Sequence, residues 1–380
     1  MPHTIHFKRP LRAAGFAFTL FAGTLLGACG GGDNHDGGGG AADVGTADLS
    51  AGGAKAQVGT FAQMIQALGA LDALQPPAAE AAARARPLAK AARVPAKASE
   101  ACPDGGTITS SGPTSKNVGS PFTNQAMSVS GAQASDCRYH ETYSEDGTDV
   151  DLTLLVNGST EGGSVEDGGQ YVEYARVGSS AQPFRFDYRI KTDSTQQGYS
   201  VSADLDLGIG VDYRDDYREG ASDNEDRFAL AMDGDYTARA SANGQSGSNS
   251  GDFTYYIGTH DAPFTAKSDA DGTVIAGQYG FRMTGVQAQT CPSGAVDVAT
   301  ETPLVDSDGQ IASPFAGGKL TFASGGKTAK VTFNADGTVT VDGSDGQSET
   351  FDYAQALAAA APCAGYGLAG LYLAAGLGAR

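Results

Sequence analysis

Tyr199-Ser200-Val201-Ser202-Ala203-Asp204-Leu205-Asp206-Leu207-Gly208-Ile209-Gly210-Val211-Asp212-Tyr213 alternates apolar and polar residues without a break. Period two sends successive side chains to opposite faces of a strand, so one face here is apolar and the other wet. Unbroken, the strand would be about 50 Å long at ~3.3 Å per residue, far beyond the usual five or six residues. Gly208 and Gly210 are places where it can bend or bulge.

The same pattern recurs on both sides. Met127 to Gly131, Val150 to Val156, Gln170 to Arg176 and Phe184 to Ile190 read as strands before it. Phe228 to Met232, Phe253 to Ile257, Val274 to Met283, Leu320 to Phe322, Lys330 to Phe333, Val339 to Val341 and Glu349 to Tyr353 read as strands after it. Asp146-Gly147, Asp271-Gly272, Asp308-Gly309, Asp336-Gly337 and Asp345-Gly346 supply the residue pair that tolerates positive φ in tight turns. Long alternating strands joined this way make a mainly β protein, an antiparallel meander curling into a barrel or a sandwich. A transmembrane barrel is the rival architecture. The many acidic positions and the final Arg380, in place of a terminal aromatic strand, weigh against it.

The N-terminal part has a different composition. Lys8, Arg9 and Arg12 precede an apolar run from Ala13 to Leu26 that ends in Leu26-Gly27-Ala28-Cys29, and no acidic residue precedes Cys29. Fourteen residues rise about 21 Å as a helix, too little for a hydrocarbon core roughly 30 Å thick, so the run reads as a secretion signal. Leu26 to Cys29 resembles the lipobox of bacterial lipoproteins, a resemblance confined to residues 1–29. It implies cleavage before Cys29 and diacylation of its thiol, which anchors the chain to a membrane. Gly30, where that family's inner-membrane retention signal has Asp, implies the outer membrane, facing the periplasm or the cell surface. Two acyl chains suffice for stable anchoring.

Residues 29–57 read as a Gly-rich tether: Gly30 to Gly32 and Gly37 to Gly40 bracket Asp33, Asn34, His35 and Asp36. Residues 58–101 read as a helical and basic Ala-rich spacer. Within it Phe61, Met64, Ile65, Leu68, Leu71 and Leu74 recur at helical spacing, Thr60 to Gln63 has the form of a capping box, and Pro76-Pro77 ends the amphipathic helix. Arg84, Arg86, Lys90, Arg93 and Lys97 then stand against the single Glu80, in a solvated spacer or an electrostatic hold on an anionic surface. Residues 102–380 read as the β domain, with 291–380 as a candidate subdomain. The uncharged stretch from Ala354 to Ala379 is expected to pack on that domain, pinned by Cys363.

Five cysteines leave four once Cys29 is assigned to lipid. An even remainder in an oxidising compartment reads as two disulfides, Cys102 with Cys137 and Cys291 with Cys363 being the preferred pairing. The 380 residues carry a net charge of −19, and removing the three basic residues of the signal takes this to −22. Such a charge disfavours nucleic acid as a partner.

The stretches that normally carry catalysis are missing: there is no Gly-x-Ser-x-Gly elbow, no His-Glu-x-x-His motif and no phosphate-binding glycine loop. His140 and His260 are the histidines of the domain, with Glu141 and Asp261 beside them. The densest polar stretch is Asp212 to Gly220, continuing through Asp223, Glu225 and Asp226, and it reads as a loop. Tyr213, Arg214, Asp215, Asp216, Tyr217 and Arg218 mix aromatic, cationic and acidic groups, and form the candidate surface for a glycan or protein partner. Its carboxylates could ligate Ca²⁺, although EF-hand spacing is absent. The expectation is a lipid-anchored envelope protein with a binding or structural role and no catalytic or metal residues. The alternative is a hydrolase whose two carboxyl groups come from separate strands, as in a glycosidase.

Overall fold

The structure, a computed structural model, describes residues 44–72, 97–145, 147–196, 199–242, 245–285, 291, 293–307 and 313–360. Cys29 and its signal, the tether up to residue 43, the basic stretch 78–96, Pro76-Pro77, Asp308-Gly309, Cys363 and the tail beyond 360 lie outside the described residues.

Sixteen strands form one antiparallel sheet. They are β1 (Lys97–Ala101), β2 (Thr107–Lys116), β3 (Met127–Glu145), β4 (Thr148–Asp167), β5 (Gln170–Val177), β6 (Phe184–Gln196), β7 (Tyr199–Glu219) and β8 (Asn224–Ala242). They continue with β9 (Gln245–Ile257), β10 (Phe264–Asp269), β11 (Gly272–Met283), β12 (Gly294–Asp306), β13 (Phe315–Ser324), β14 (Lys327–Phe333), β15 (Thr338–Asp342) and β16 (Ser348–Asp352). The expected meander is therefore present. Among the described residues β1 pairs with β2 alone and β16 with β15 alone. The sheet continues through β12, which pairs with both β11 and β13, so it does not divide near residue 291. Gly147, Gly272, Gly337 and Gly346 sit in four of the expected turns at positive φ. Strands β1, β2, β10 and β12 carry weak alternation and are held by their neighbours rather than by their own pattern.

The long alternating stretch is β7. Its Leu205, Leu207, Ile209, Val211 and Tyr213 face a core that collects buried side chains from β4 through β16. That core also takes in helix α1 (Ala51–Asp72). The ring of Phe61 lies 5.4 Å from Tyr279, 5.9 Å from Phe264 and 6.4 Å from Phe322. The Tyr279 hydroxyl donates to the Gln57 carbonyl at 3.1 Å.

The helix starts nine residues earlier than its apolar spacing indicates. Ser50 is the cap: its Oγ accepts from the Gly53 amide at 3.2 Å, and Asp48 accepts from both the amide and the hydroxyl of Ser50 at 2.9 Å. Thr60 is interior, its hydroxyl donating to the Ala56 carbonyl at 3.1 Å rather than capping. Residues 44–57, which composition assigns to a tether, include buried positions and the start of α1. Val44, Ala47 and Leu49 are buried, the Ala47 amide donates to Ser324 Oγ at 2.9 Å, and the Ser344 amide donates to the Leu49 carbonyl at 2.8 Å. Local composition carries no trace of a docking partner roughly 280 residues away. Residues 353–360 form a second helix, α2, which crosses α1 where Gly59 meets Ala356. A methyl group on Gly59 would overlap the Ala356 carbonyl.

The Cys102–Cys137 disulfide joins the turn before β2 to β3, with Cα atoms 5.5 Å apart. Cys291 is disulfide-bonded as well.

Two positions of the sheet hold broken strands. β4 pairs first with β6 and then with β5, so β5 and β6 are one strand interrupted at 178–183. β9 and β10 are likewise one strand interrupted at 258–263, flanked by β8 and β11. The breaks share a sequence: Gly178-Ser179-Ser180-Ala181-Gln182-Pro183-Phe184 and Gly258-Thr259-His260-Asp261-Ala262-Pro263-Phe264. Their pairing matches too. Phe184 pairs with Val211 and Val177 with Tyr213, while Phe264 pairs with Phe228 and Ile257 with Leu230. Tyr213 and Leu230 pair with each other, so a local two-fold axis passes between them, relating β4, β5/β6 and β7 to β11, β9/β10 and β8.

Candidate functional site

The polar stretch read as a loop is strand, turn and strand. β7 runs on to Glu219 and β8 begins at Asn224, with a turn closed by the Gly220 amide donating to the Asp223 carbonyl at 2.7 Å. Beyond Tyr213 both faces of β7 carry polar residues, so apolar alternation stops although the ladder does not. β5 pairs with β7 from Tyr171–Glu219 to Val177–Tyr213, and β10 pairs with β8 from Phe264–Phe228 to Ser268–Asn224. Being on a strand divides the six candidate residues. Tyr213, Asp215 and Tyr217 share the core-facing side, while Arg214, Asp216 and Arg218 share the outer side.

On the outer side, residues 117–126 cross the sheet. Arg214 donates through Nε to Asp216 at 2.8 Å and through Nη2 to the Gly119 carbonyl at 3.0 Å, and its guanidinium lies 5.6 Å from the Tyr174 ring centre. Burial acts to lower the Arg214 pKa, but the bond to Asp216 and its charge outweigh that and raise it. Arg218 grips both carboxylate oxygens of Asp223, at 2.6 and 3.2 Å, and holds that carboxyl below its ordinary range. Arg218 and Arg227 both stack on Phe122, at 5.9 and 5.0 Å.

Next to these lies a pocket of about 320 Å³, lined by residues that include Arg214, Asp216, Arg227, Thr259 and His260. His260 Nε2 sits 3.2 Å from Asp212 Oδ2. Asp212 is 7% exposed and Asp216 4%, and the Oδ1 of each has no hydrogen-bond partner among the described residues. The partner of His260 is thus Asp212 across the sheet, not its neighbour Asp261.

On the core-facing side, Glu173 accepts from the Tyr171 hydroxyl at 3.0 Å. Burial raises the Glu173 pKa, and burial with the nearby carboxylates pushes Tyr171 up to about 12. Asp226 is hydrogen-bonded to Asp215; burial raises its pKa, the bond to Asp215 opposes this, and the Asp216 charge adds to it. Two carboxyl groups in direct contact are closer than the roughly 5 to 9.5 Å that glycosidase mechanisms use.

His140 lies on β3 with its ring 3.1 Å from Asp151, both half exposed. Among the described residues no group of three or more His, Cys, Asp or Glu is arranged to hold a metal ion. The two related breaks are short and differ between their first and last residues, so they do not stand out as a repeat. A Gly-Ser/Thr start and Pro-Phe end, recurring 80 residues apart, was the signal available.

The chain matches no family model, no curated protein and no solved structure. Among the described residues no helix is long and apolar enough to cross a membrane.

Proposed function

We propose that this protein is a lipid-anchored envelope protein that binds a partner through the outer side of the β5–β7–β8–β10 region. The observation that carries this reading is the pocket at Arg214, Asp216, Arg227 and His260, whose side chains are borne by strands and a proline-ended break and positioned by the Arg214–Asp216 ion pair and the His260–Asp212 hydrogen bond. Pre-set polar groups lower the ordering cost of binding. The Asp215–Asp226 contact does not have the spacing of a glycosidase pair. Lipidation at Cys29 and outer-membrane placement rest on the lipobox resemblance of residues 1–29.

Labelling of growing cells with an alkyne fatty acid tests the anchor: the wild type takes the label and Cys29→Ser does not. Proteinase K on intact cells tests the side of the membrane, with a periplasmic protein as control. Turnover of aryl glycosides that depends on Asp226 would replace the binding reading with the hydrolase.

A further inference from the structure

The two strand breaks give this chain an internal comparison. Around each break the backbone does the same thing: the Gly178 amide donates to the Ser159 carbonyl at 2.8 Å, and the Gly258 amide to the Gln278 carbonyl at 2.7 Å. Ser179 and Thr259 each accept, through their hydroxyls, the amide three residues on, at 3.1 and 3.0 Å. A methyl group on Gly158 would stand 2.7 Å from Phe184, and one on Gly277 would stand 2.7 Å from Phe264. The scaffolding is therefore the same in both copies. What differs is the outer-side equipment. By the pairing of β7 with β8, the counterparts of His260, Arg214 and Arg227 are Ser180, Ala231 and Gly210, and the counterpart of Asp212 is Ala229. One copy of the break forms without any of these groups, so the fold does not require them.

From this broken symmetry we infer that the pocket at His260 is a subsite for one pyranose unit. This rests on the binding reading above and names its ligand class. The argument is one of donors, acceptors and charge. Asp216 lines the pocket with Arg214, Arg227 and His260, which supply N–H groups there, and Asp212 stands behind His260 at 3.2 Å without lining it. A carboxylate held in a partly buried pocket favours a ligand that can donate to it. Both guanidiniums are already paired, Arg214 with Asp216 at 2.8 Å and Arg227 with Glu225 at 2.7 Å, so a ligand of strong net charge would unbalance the site. A sugar ring carries neighbouring hydroxyls that each donate and accept, which is what such a mixed lining needs. A volume of about 320 Å³ is at the small end of ligand pockets and suits a single ring.

The test is NMR titration of the purified full chain, following the His260 ring protons, which the His260→Ser variant assigns. The probes are glucose, galactose, mannose and N-acetylglucosamine, each as the free sugar and as both methyl glycosides, with lysine and succinate as cationic and anionic comparators. At least one sugar is expected to shift His260 at millimolar concentration. The triple change His260→Ser, Arg214→Ala and Arg227→Gly, which copies the other break, should weaken that binding at least tenfold. Binding of methyl glycosides as well as free sugars identifies a residue within a glycan; binding of free sugars alone identifies a soluble sugar. If the triple variant does not fold, the wild-type titration still decides. Absence of any sugar-induced shift at His260, or a larger response to lysine or succinate, overturns the inference. Sugar binding that persists undiminished in a folded triple variant overturns this pocket while leaving a binding role in place.

Discussion

Tyr213 of β7 and Leu230 of β8 face each other across the ladder and exchange places under the local two-fold axis. The backbone arrangement within two strands of that pair exists twice. Gly158 and Gly277 are the clearest case, each at positive φ (134° and 143°) and each against the Phe that restarts a broken strand.

Gly158→Ala and Gly277→Ala should therefore destabilise the protein alike, by about 2 to 3 kcal/mol each, because backbone strain and overlap with Phe184 or Phe264 act together. The midpoint of urea unfolding measures this. A large loss at one position and none at the other would show that the two breaks are not equivalent.

Helix α1 offers a matched pair of glycines. Gly52→Ala meets nothing within 4 Å and should stabilise by about 0.5 to 1 kcal/mol through helix propensity, whereas Gly59→Ala should destabilise by about 1 to 3 kcal/mol by pushing α2 off at Ala356. Thermal melts of the two variants should move in opposite directions.

Phe61 touches three rings from three strands, so Phe61→Ala should cost about 3 to 5 kcal/mol. Unfolding of the β sheet and loss of α1 helicity should then occur in one transition. If α1 melts first while the sheet survives, the helix is an accessory to the core and not part of it.

Reduction of Cys102–Cys137, which closes a sequence separation of 35, should lower stability by about 4 kcal/mol on the chain-entropy account. Hydrogen exchange should report the loss first in β1 and β2, at the end of the sheet.

Asp226 and Glu173 titrate above their ordinary range in the folded chain, so folding takes up protons at these groups. Their contribution is most favourable below the ordinary carboxylate range near 4 and is lost as pH rises through their raised folded values. Asp226→Asn should then raise the melting temperature by a few degrees at pH 7 and leave it nearly unchanged at pH 3.5. A variant less stable than the wild type at pH 7 would contradict the raised value.

Sequence by itself determined the class of fold, because period two between Tyr199 and Tyr213 admits only a strand with one buried face, and the Asp-Gly pairs admit only tight turns between such strands. It also marked Cys102 with Cys137, and the Phe61 helix. The rest belongs to contacts between distant residues. Residues 212–226 read as a loop because polarity on both faces erases alternation; β5 and β10, which hold them as strands, pair with them across 36 to 48 residues of chain. Residues 44–57 pack on the sheet where composition suggests a tether, because Ala47 finds Ser324. The partner of His260 is Asp212 and not Asp261, a choice made by strand register. Side-chain parity is local and legible in one dimension; register, burial and the axis between Tyr213 and Leu230 exist only once the sheet has assembled.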